Sequence, residues 1–305
     1  MYFPTLYPDE LTGSLLIRAS HHLGLTLREL IYLILGCHKG ESRYSFLLPS
    51  ILAGIAEYIG ALPHDLLMRH TIYPYARISF DPQQNDRWEN HYSTMAPANH
   101  INLLRSLYPP NSGLSQFRRY CEHCKIDELL RFGESYWHVS HTLPAVSICP
   151  THHVALQVCP IRLLSSKISQ SNFLPQEICV SEKAMLHASH SLLLEISMQS
   201  IHILKNSFDE CLCERSQYFH LAEELGYDIH RRIIDRQRFI RDIKYYFGSQ
   251  LLDELGAPIK WETDAAWPLI LLNGDNSDSQ AQLKRILLKI FLTNKKIINN
   301  REIKP

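Results

Sequence analysis

Four potential metal ligands, arranged in two matched pairs, constrain this chain more than any other feature of its sequence. Cys121 and Cys124 form the first pair, and Cys149 and His152 form the second, in the pattern C-x2-C-x24-C-x2-H. Each pair places two donor atoms on one turn, and together they supply the four ligands of a closed structural Zn²⁺ site. His153 could replace His152 as fourth ligand, and four unrelated core side chains are the alternative to a metal site.

The residues around these pairs form three further blocks, R-x-C-x2-C, Gly-acidic-x-YWH-x2-H-x-LP and C-P-x-H. In this combination the chain resembles the TniQ/TnsD family of transposon target-selection proteins. The opening segment 3–20 and the later segments 221–232 and 267–272 are also similar to that family, although Val139 stands where a basic residue is expected. The matching positions are Arg119, Cys121, Cys124, Gly133, Tyr136, Trp137, His138, His141, Leu143, Pro144, Cys149, Pro150 and His152.

The resemblance implies an adapter without catalytic activity of its own. One face would recognise the target, either attachment-site DNA or a CRISPR guide-RNA effector complex on DNA. Another face would recruit the AAA+ regulator of transposition, and two copies could associate as a homodimer. Zero net charge and a length close to the shared core favour the guide-complex version over a direct, sequence-specific DNA-binding protein, of which the chain could also be a truncated form.

A zinc-dependent enzyme that uses His138 and His141 is the second hypothesis. The sequence places no carboxylate partner or nucleophile beside them, so we expect these imidazoles to pack and to orient the ligands. A Cys3His set also fills all four positions that a catalytic zinc would leave partly open. The sequence has no P-loop, no G-x-S-x-G motif and no H-E-x-x-H motif.

Composition predicts an ordinary globular protein of two or three domains. The 305 residues are 45% hydrophobic and 20% charged, with a formal net charge of zero, which argues against strong DNA binding by the chain alone. The sequence has neither an apolar stretch long enough to span a membrane nor a signal peptide, so we expect a cytoplasmic protein. Five cysteines outside the site are expected to be free thiols, and Cys211-x-Cys213 is a weak candidate for a second metal site; the five are Cys37, Cys159, Cys179, Cys211 and Cys213.

The predicted fold is mainly α-helical, with a small zinc-ribbon or zinc-finger module between helix-turn-helix-like units. The expected domains are residues 1–110, 111–165 and 166–305. In the first, Thr12 and Thr26 are expected to cap two helices joined at Gly24, and a single basic residue, Arg28, makes the second helix a protein-docking or core element rather than a DNA reader. Residues 81–99 are expected to form a loop.

The zinc module is predicted to contain a strand at 117–120, a helix at 126–132 and Trp137 above the metal. In the last domain we expect helices over 181–205, 218–225 and 236–247, the last two forming a second helix-turn-helix outline. Six basic side chains there could bind the phosphates of DNA or guide RNA, or could form a solvated face paired with aspartates. They are Arg231, Arg232, Arg236, Arg238, Arg241 and Lys244.

Overall fold

The computed structural model of this chain is mainly helical, with two small antiparallel sheets. It describes residues 3–35, 45–94, 100–109, 113–164, 172–184, 186–206, 215–230, 233–260, 266–272 and 281–302. Among the described helices, none combines the length and the apolar character needed to cross a bilayer.

In the described residues, seven helices precede the predicted metal module. They are α1 (Thr12–Leu23), α2 (Leu27–Leu35), α3 (Leu52–Ile59), α4 (Pro63–Arg69), α5 (Tyr73–Arg77), α6 (Pro82–Ser93) and α7 (His100–Leu107). The central elements are β1 (Phe117–Tyr120), α8 (Glu122–Phe132), α9 (Val139–Thr142) and β2 (Gln157–Arg162).

The remaining elements begin with a short strand and end with the longest helix. They are β3 (Glu182–Lys183), α10 (His190–Lys205), α11 (Arg215–Glu224), β4 (Asp228–His230), β5 (Ile233–Ile234), α12 (Arg236–Phe247), α13 (Ser249–Glu254), α14 (Trp267–Leu272) and α15 (Ala281–Glu302). Helix α10 packs against α5 and α15, so apolar contacts join the first helices of the chain to the last.

The three-stranded sheet has the order β1-β2-β3 with antiparallel neighbours. Tyr120 lies opposite Gln157, and Val158 lies opposite Glu182. The predicted strand at 117–120 is therefore confirmed, and β3 extends this sheet beyond residue 165. Residues 110–112 and 165–171 lie outside the described residues, so the division into three domains stays a prediction.

The first two predicted helices are confirmed as α1 and α2. Gly24 ends α1 with a φ of 65°, in the left-handed region that glycine tolerates. Thr26 caps α2, because its Oγ1 accepts from the Glu29 amide at 3.2 Å and the Glu29 carboxylate accepts from the Thr26 amide at 2.8 Å. The expected cap at Thr12 is wrong: the N-cap residue is Leu11, and the Thr12 hydroxyl donates to the His70 carbonyl at 2.9 Å.

The expected loop at 81–99 is wrong for residues 82–93, which form α6. Its start is a complete capping box, since Asp81 Oδ1 accepts from the Gln84 amide at 2.7 Å and Gln84 Oε1 accepts from the Asp81 amide at 3.2 Å. Pro82 then occupies the first helical turn, where a proline costs no hydrogen bond. The polar composition concealed a helix whose start is encoded in the sequence Asp-Pro-Gln-Gln.

The helix expected over 181–205 is shorter, because α10 begins after Ser189, whose hydroxyl accepts from the Leu192 amide at 3.3 Å. The second helix-turn-helix outline also differs, since the β4–β5 hairpin lies between α11 and α12. The amide of Asp235 donates to the carbonyl of Tyr227 at 2.7 Å and closes this hairpin at the start of α12. The connection is therefore longer and more ordered than a simple turn.

The N-terminal lead-in, residues 3–11, pairs directly with the Tyr136-Trp137-His138 segment. The Leu11 amide donates to the Trp137 carbonyl at 2.9 Å, and the Val139 amide donates to the Asp9 carbonyl at 2.8 Å. The two most distinctive sequence blocks, more than a hundred residues apart, are thus one continuous piece of structure.

A buried charge network strengthens this junction. The guanidinium of Arg18, which is 1% exposed, donates twice to the fully buried Glu10 at 2.8 Å and once to Glu134 at 2.5 Å. The Tyr7 ring lies 4.0 Å from the guanidinium carbon, and His22 Nε2 bonds the other oxygen of Glu134 at 2.8 Å. Because both carboxylates are satisfied, this network can remain inside the protein.

We predict that R18A destabilises the chain by about 3–5 kcal/mol, since it leaves the buried Glu10 carboxylate without its cation. Chemical denaturation followed by circular dichroism measures this change. The matched control is R69A, which removes an exposed arginine and should change the free energy of unfolding by less than about 0.5 kcal/mol. Equal stability of R18A and R69A would contradict the importance of the network.

Candidate metal centre

The local fold brings the two ligand pairs to one point. Strand β1 ends at Tyr120, Cys121 is the N-cap residue of α8, and Cys124 lies on the first turn of that helix. The second pair lies on a tight turn, in which the Cys149 amide donates to the Val154 carbonyl at 2.8 Å and the His153 amide donates to the Cys149 carbonyl at 2.9 Å.

The same turn separates the two candidate histidines. His153 adopts a φ of 54° and is exposed, whereas His152 directs Nδ1 at the three sulfurs. Geometry therefore favours His152 over its neighbour. Cys121, Cys124, Cys149 and His152 place all their donor atoms within 4.8 Å of one another.

The separations fit a tetrahedral zinc ion. With bonds of about 2.3 Å to sulfur and about 2.0 Å to nitrogen, a tetrahedron places two sulfurs about 3.8 Å apart and a sulfur and a nitrogen about 3.6 Å apart. His152 Nδ1 lies 3.6 Å from Cys121 Sγ, 3.3 Å from Cys124 Sγ and 3.7 Å from Cys149 Sγ. The sulfurs of Cys124 and Cys149 are 3.7 Å apart, too far for a disulfide.

The outer nitrogen of the ligand histidine also has a partner. His152 Nε2 lies 3.2 Å from Asp127 Oδ2, on the helix that carries Cys124. This carboxylate fixes the tautomer that leaves Nδ1 free to bind a metal. Hydrogen bonding with the neighbouring thiols raises the pKa of Cys124, and burial adds to the effect, so a cation would be needed to hold three thiolates together.

Comparison with known proteins gives the same picture. The TniQ family profile matches residues 1–156, more than half of the 305-residue chain and a stretch that includes all four ligands. The chain belongs to the TniQ family. The transposition protein TnsD of transposon Tn7 from Escherichia coli is 26% identical to it over 155 residues, which is 49% of this chain and 30% of TnsD.

That match covers only part of each protein. This TniQ chain spans about a third of the length of the curated relative. Residues 157–305 follow the matched region and include the basic helix α12.

His138 has two carboxylate partners, contrary to the expectation of none. Its Nδ1 lies 3.2 Å from Asp9 Oδ2, and its Nε2 lies 2.5 Å from Glu128 Oε1. Burial alone would lower the pKa of this imidazole, but the hydrogen bonds and charges of Asp9 and Glu128 outweigh burial and raise the pKa to about 10. The imidazolium therefore joins the lead-in to α8, one turn beyond the ligand Cys124.

His141 occupies a different environment. It is fully buried, its ring centroid lies 4.5 Å from that of His138, and burial together with the neighbouring positive charge lowers its pKa. The Arg119 guanidinium donates to the carbonyls of His141 at 3.1 Å and Leu143 at 2.7 Å, which fixes the backbone between the two ligand pairs. His138 thus has two charged partners, whereas Nδ1 of the buried His141 ring has no hydrogen-bond partner among the described residues.

Trp137 packs in the core that joins the helices to the sheet. Its ring meets Phe46 and Tyr120 edge-on at 6.2 Å, and its indole N–H donates to the Phe173 carbonyl at 2.7 Å. Arg118 lies between this ring and Phe46, with its guanidinium carbon 3.5 Å from the Phe46 centroid.

Helix α8 has an inverted pattern of burial. Its buried residues are Cys124 and Glu128, whereas an aliphatic stripe of Ile126, Leu129 and Leu130 faces solvent, with Leu130 81% exposed. The helix is thus attached through a metal ligand and an ion pair instead of an apolar face. Exposed aliphatic stripes of this kind are typical of surfaces that bind another protein.

Four of the six basic residues predicted to bind nucleic acid lie on one helix. Arg236, Arg238, Arg241 and Lys244 lie on α12, while Arg231 and Arg232 fall outside the described residues. Arg238 donates to the Gly226 carbonyl at 3.0 Å, and its guanidinium carbon lies 5.2 Å from the Tyr227 centroid. Arg241 is exposed and lacks a hydrogen bond or ion pair to any described residue.

Two of the cysteines outside the centre are free thiols, as expected. Cys159 is buried and Cys179 is exposed. Cys37, Cys211 and Cys213 lie outside the described residues, so the weak Cys211-x-Cys213 candidate stays a prediction.

We predict that the purified chain binds one Zn²⁺ and that C149S loses it. Replacing zinc by cobalt should give the absorption spectrum of a tetrahedral Cys3His complex, because the four donors already lie at tetrahedral separations. D127N should keep the ligands but weaken metal affinity by about 10–100-fold. The matched control, C179S, changes an exposed thiol outside the cluster, and loss of zinc in that variant would contradict the assignment.

We predict that His138 stays protonated well above neutral pH. A histidine in an unfolded chain titrates near about 6.5, whereas the folded pKa is raised to about 10. The stabilisation is therefore fully present below about pH 6.5 and is lost as pH rises toward 10. NMR titration of the ring measures this, with H138Q to assign the resonance, and a titration near the unfolded value would contradict the ion pairs.

Proposed function

We propose that this TniQ chain selects the insertion site of a Tn7-like transposon by acting as an adapter. It would connect a target-recognition complex to the AAA+ regulator of transposition. The observation that carries the proposal is the family match over residues 1–156, which covers the complete metal centre and the lead-in that packs on it. A protein with this role works on DNA in the cytoplasm.

In this proposal the metal is structural and the chain is not an enzyme. Cys121, Cys124, Cys149 and His152 would hold one Zn²⁺ and fill its four positions. When bound, zinc supplies the positive charge that lets three thiolates lie together. The surrounding residues then have the task of positioning: Asp127 orients His152, and Glu128 anchors α8 to His138.

The adapter needs a surface for its protein partner, and the α8 stripe of Ile126, Leu129 and Leu130 meets that need. Beside it, Glu122 pairs with Lys125, Asp127 bonds His152, and the Arg131 guanidinium lies over the Phe132 ring. A neutral aliphatic stripe fits an apolar protein surface and offers little to a polyanion. We assign the AAA+ regulator to this stripe.

The second surface is the basic side of α12. Phosphates of attachment-site DNA or of a guide-RNA complex would contact Arg236, Arg238, Arg241 and Lys244, with Arg231 and Arg232 preceding them in sequence. A net charge of zero supports the version in which a guide complex provides most of the affinity for DNA. Association of two copies stays a prediction that sedimentation velocity would measure.

We expect C149S and L130D to fail in a plasmid transposition assay for different reasons. C149S would lose zinc, fold and targeting together, whereas L130D would keep its zinc but reduce targeted insertion at least about tenfold, through lost binding to the purified AAA+ regulator. V180D is the control, because Val180 is 69% exposed and lies away from α8 in sequence. Normal targeting by C149S would refute the adapter proposal, and normal regulator binding by L130D would refute the assigned surface.

A further inference from the structure

The outer face of α12 carries an aromatic ring in an unusual position. Tyr245 is 92% exposed, the highest value among the large hydrophobic and aromatic side chains with measured exposure in the described residues. The buried side of the same helix is formed by Phe239, Ile240, Ile243 and Phe247. Tyr245 therefore points away from the core and buries almost none of its side chain there.

Basic and polar side chains share this face. Residues spaced by four lie one above the other on a helix, so Gln237, Arg241 and Tyr245 form one row. Gln237 and Arg241 are both exposed. Asp242, the acidic residue of α12, is engaged elsewhere, because it accepts from Tyr227 and pairs with Lys295.

A cavity of about 650 Å³ adjoins the row. Lys244, which neighbours Tyr245 in sequence, lines it together with Lys260, and Leu252 and Ile259 form part of its apolar wall. Asp253 contributes one carboxylate. The face thus combines an accessible ring, cations at the spacing of one helical turn, and a recess with both charged and apolar walls.

We infer that this face of α12 binds a single-stranded polynucleotide, with Tyr245 stacking on an unpaired base and Arg241, Lys244 and Lys260 contacting phosphates. The inference rests on the proposed function and narrows its nucleic-acid partner. A duplex presents phosphates and base edges, whereas a ring that is 92% exposed is accessible for stacking on the open face of an unpaired base. The cations on this face, Arg241, Lys244 and Lys260, complement a polyanion, which favours nucleic acid over a protein partner.

Fluorescence anisotropy with the full chain tests this inference. The probes are a fluorescein-labelled single-stranded DNA of ~16 nucleotides, an RNA of the same sequence and the corresponding DNA duplex. We expect Y245A to bind both single strands about 10-fold more weakly, with little change on the duplex, because each stacked base contributes strongly to such binding. Comparison of the DNA and RNA probes identifies which strand the face prefers.

Three variants complete the design. Y245F keeps the ring and should bind like the unmodified chain, while V180A truncates an exposed apolar side chain elsewhere and should have no effect. R241A should weaken all three probes and reduce the salt dependence by about one unit of slope, because it removes a phosphate contact.

Several outcomes would overturn the inference. It falls if Y245A binds single strands normally, if Y245A loses single strands and duplex equally, or if the unmodified chain binds no probe. Any of these results would leave the targeting role intact as long as C149S still abolishes insertion while the unmodified chain supports it. Failure of the unmodified chain to support targeted insertion would instead overturn the proposed function.

Discussion

The central constraint on this TniQ chain is that its fold brings three cysteine sulfurs together, although their thiolate charges repel one another. The two ligand turns lie on different elements, one at the start of α8 and one after the buried segment that ends at Cys149. A divalent cation at their centre would convert mutual repulsion into a crosslink. Because α8 buries little besides Cys124 and Glu128, its position would depend on such a crosslink more than on apolar packing.

The charges around the centre show how the crosslink extends into the fold. On α8, Glu128 bonds to His138, and His138 also bonds to Asp9. The next residue, Glu10, accepts a hydrogen bond from Arg18 on α1. Each member of this series is buried or half-buried and each has a partner of opposite charge, which is what allows ionised groups to persist there. These bonds connect the metal centre to the first helix, so we expect a substitution at either one to change the stability of the other.

Sequence reasoning found the ligands because their information is local: two x2 spacings place the donors without knowledge of the rest of the fold. It also predicted α1, α2, β1 and the whole of α12 from periodicity and caps. It missed the partners of His138, since Asp9 lies 129 residues away in sequence and no periodic pattern connects them. It did not predict α6 for a different reason. The polar composition of this segment indicates a loop, whereas the capping box at Asp81 and Gln84 indicates the start of a helix.

Zero net charge is compatible with a nucleic-acid surface once the location of the charges is known. Several acidic side chains are engaged inside the fold or in local pairs: Glu10 and Glu134 with Arg18, Asp242 with Lys295, and Glu224 with Lys296. Arg241, in the outer row of α12, has no ion pair to any described residue. A polyanion interacts mainly with charges within a Debye length, about 8–10 Å, so the local excess of positive charge matters more than the net charge of the chain.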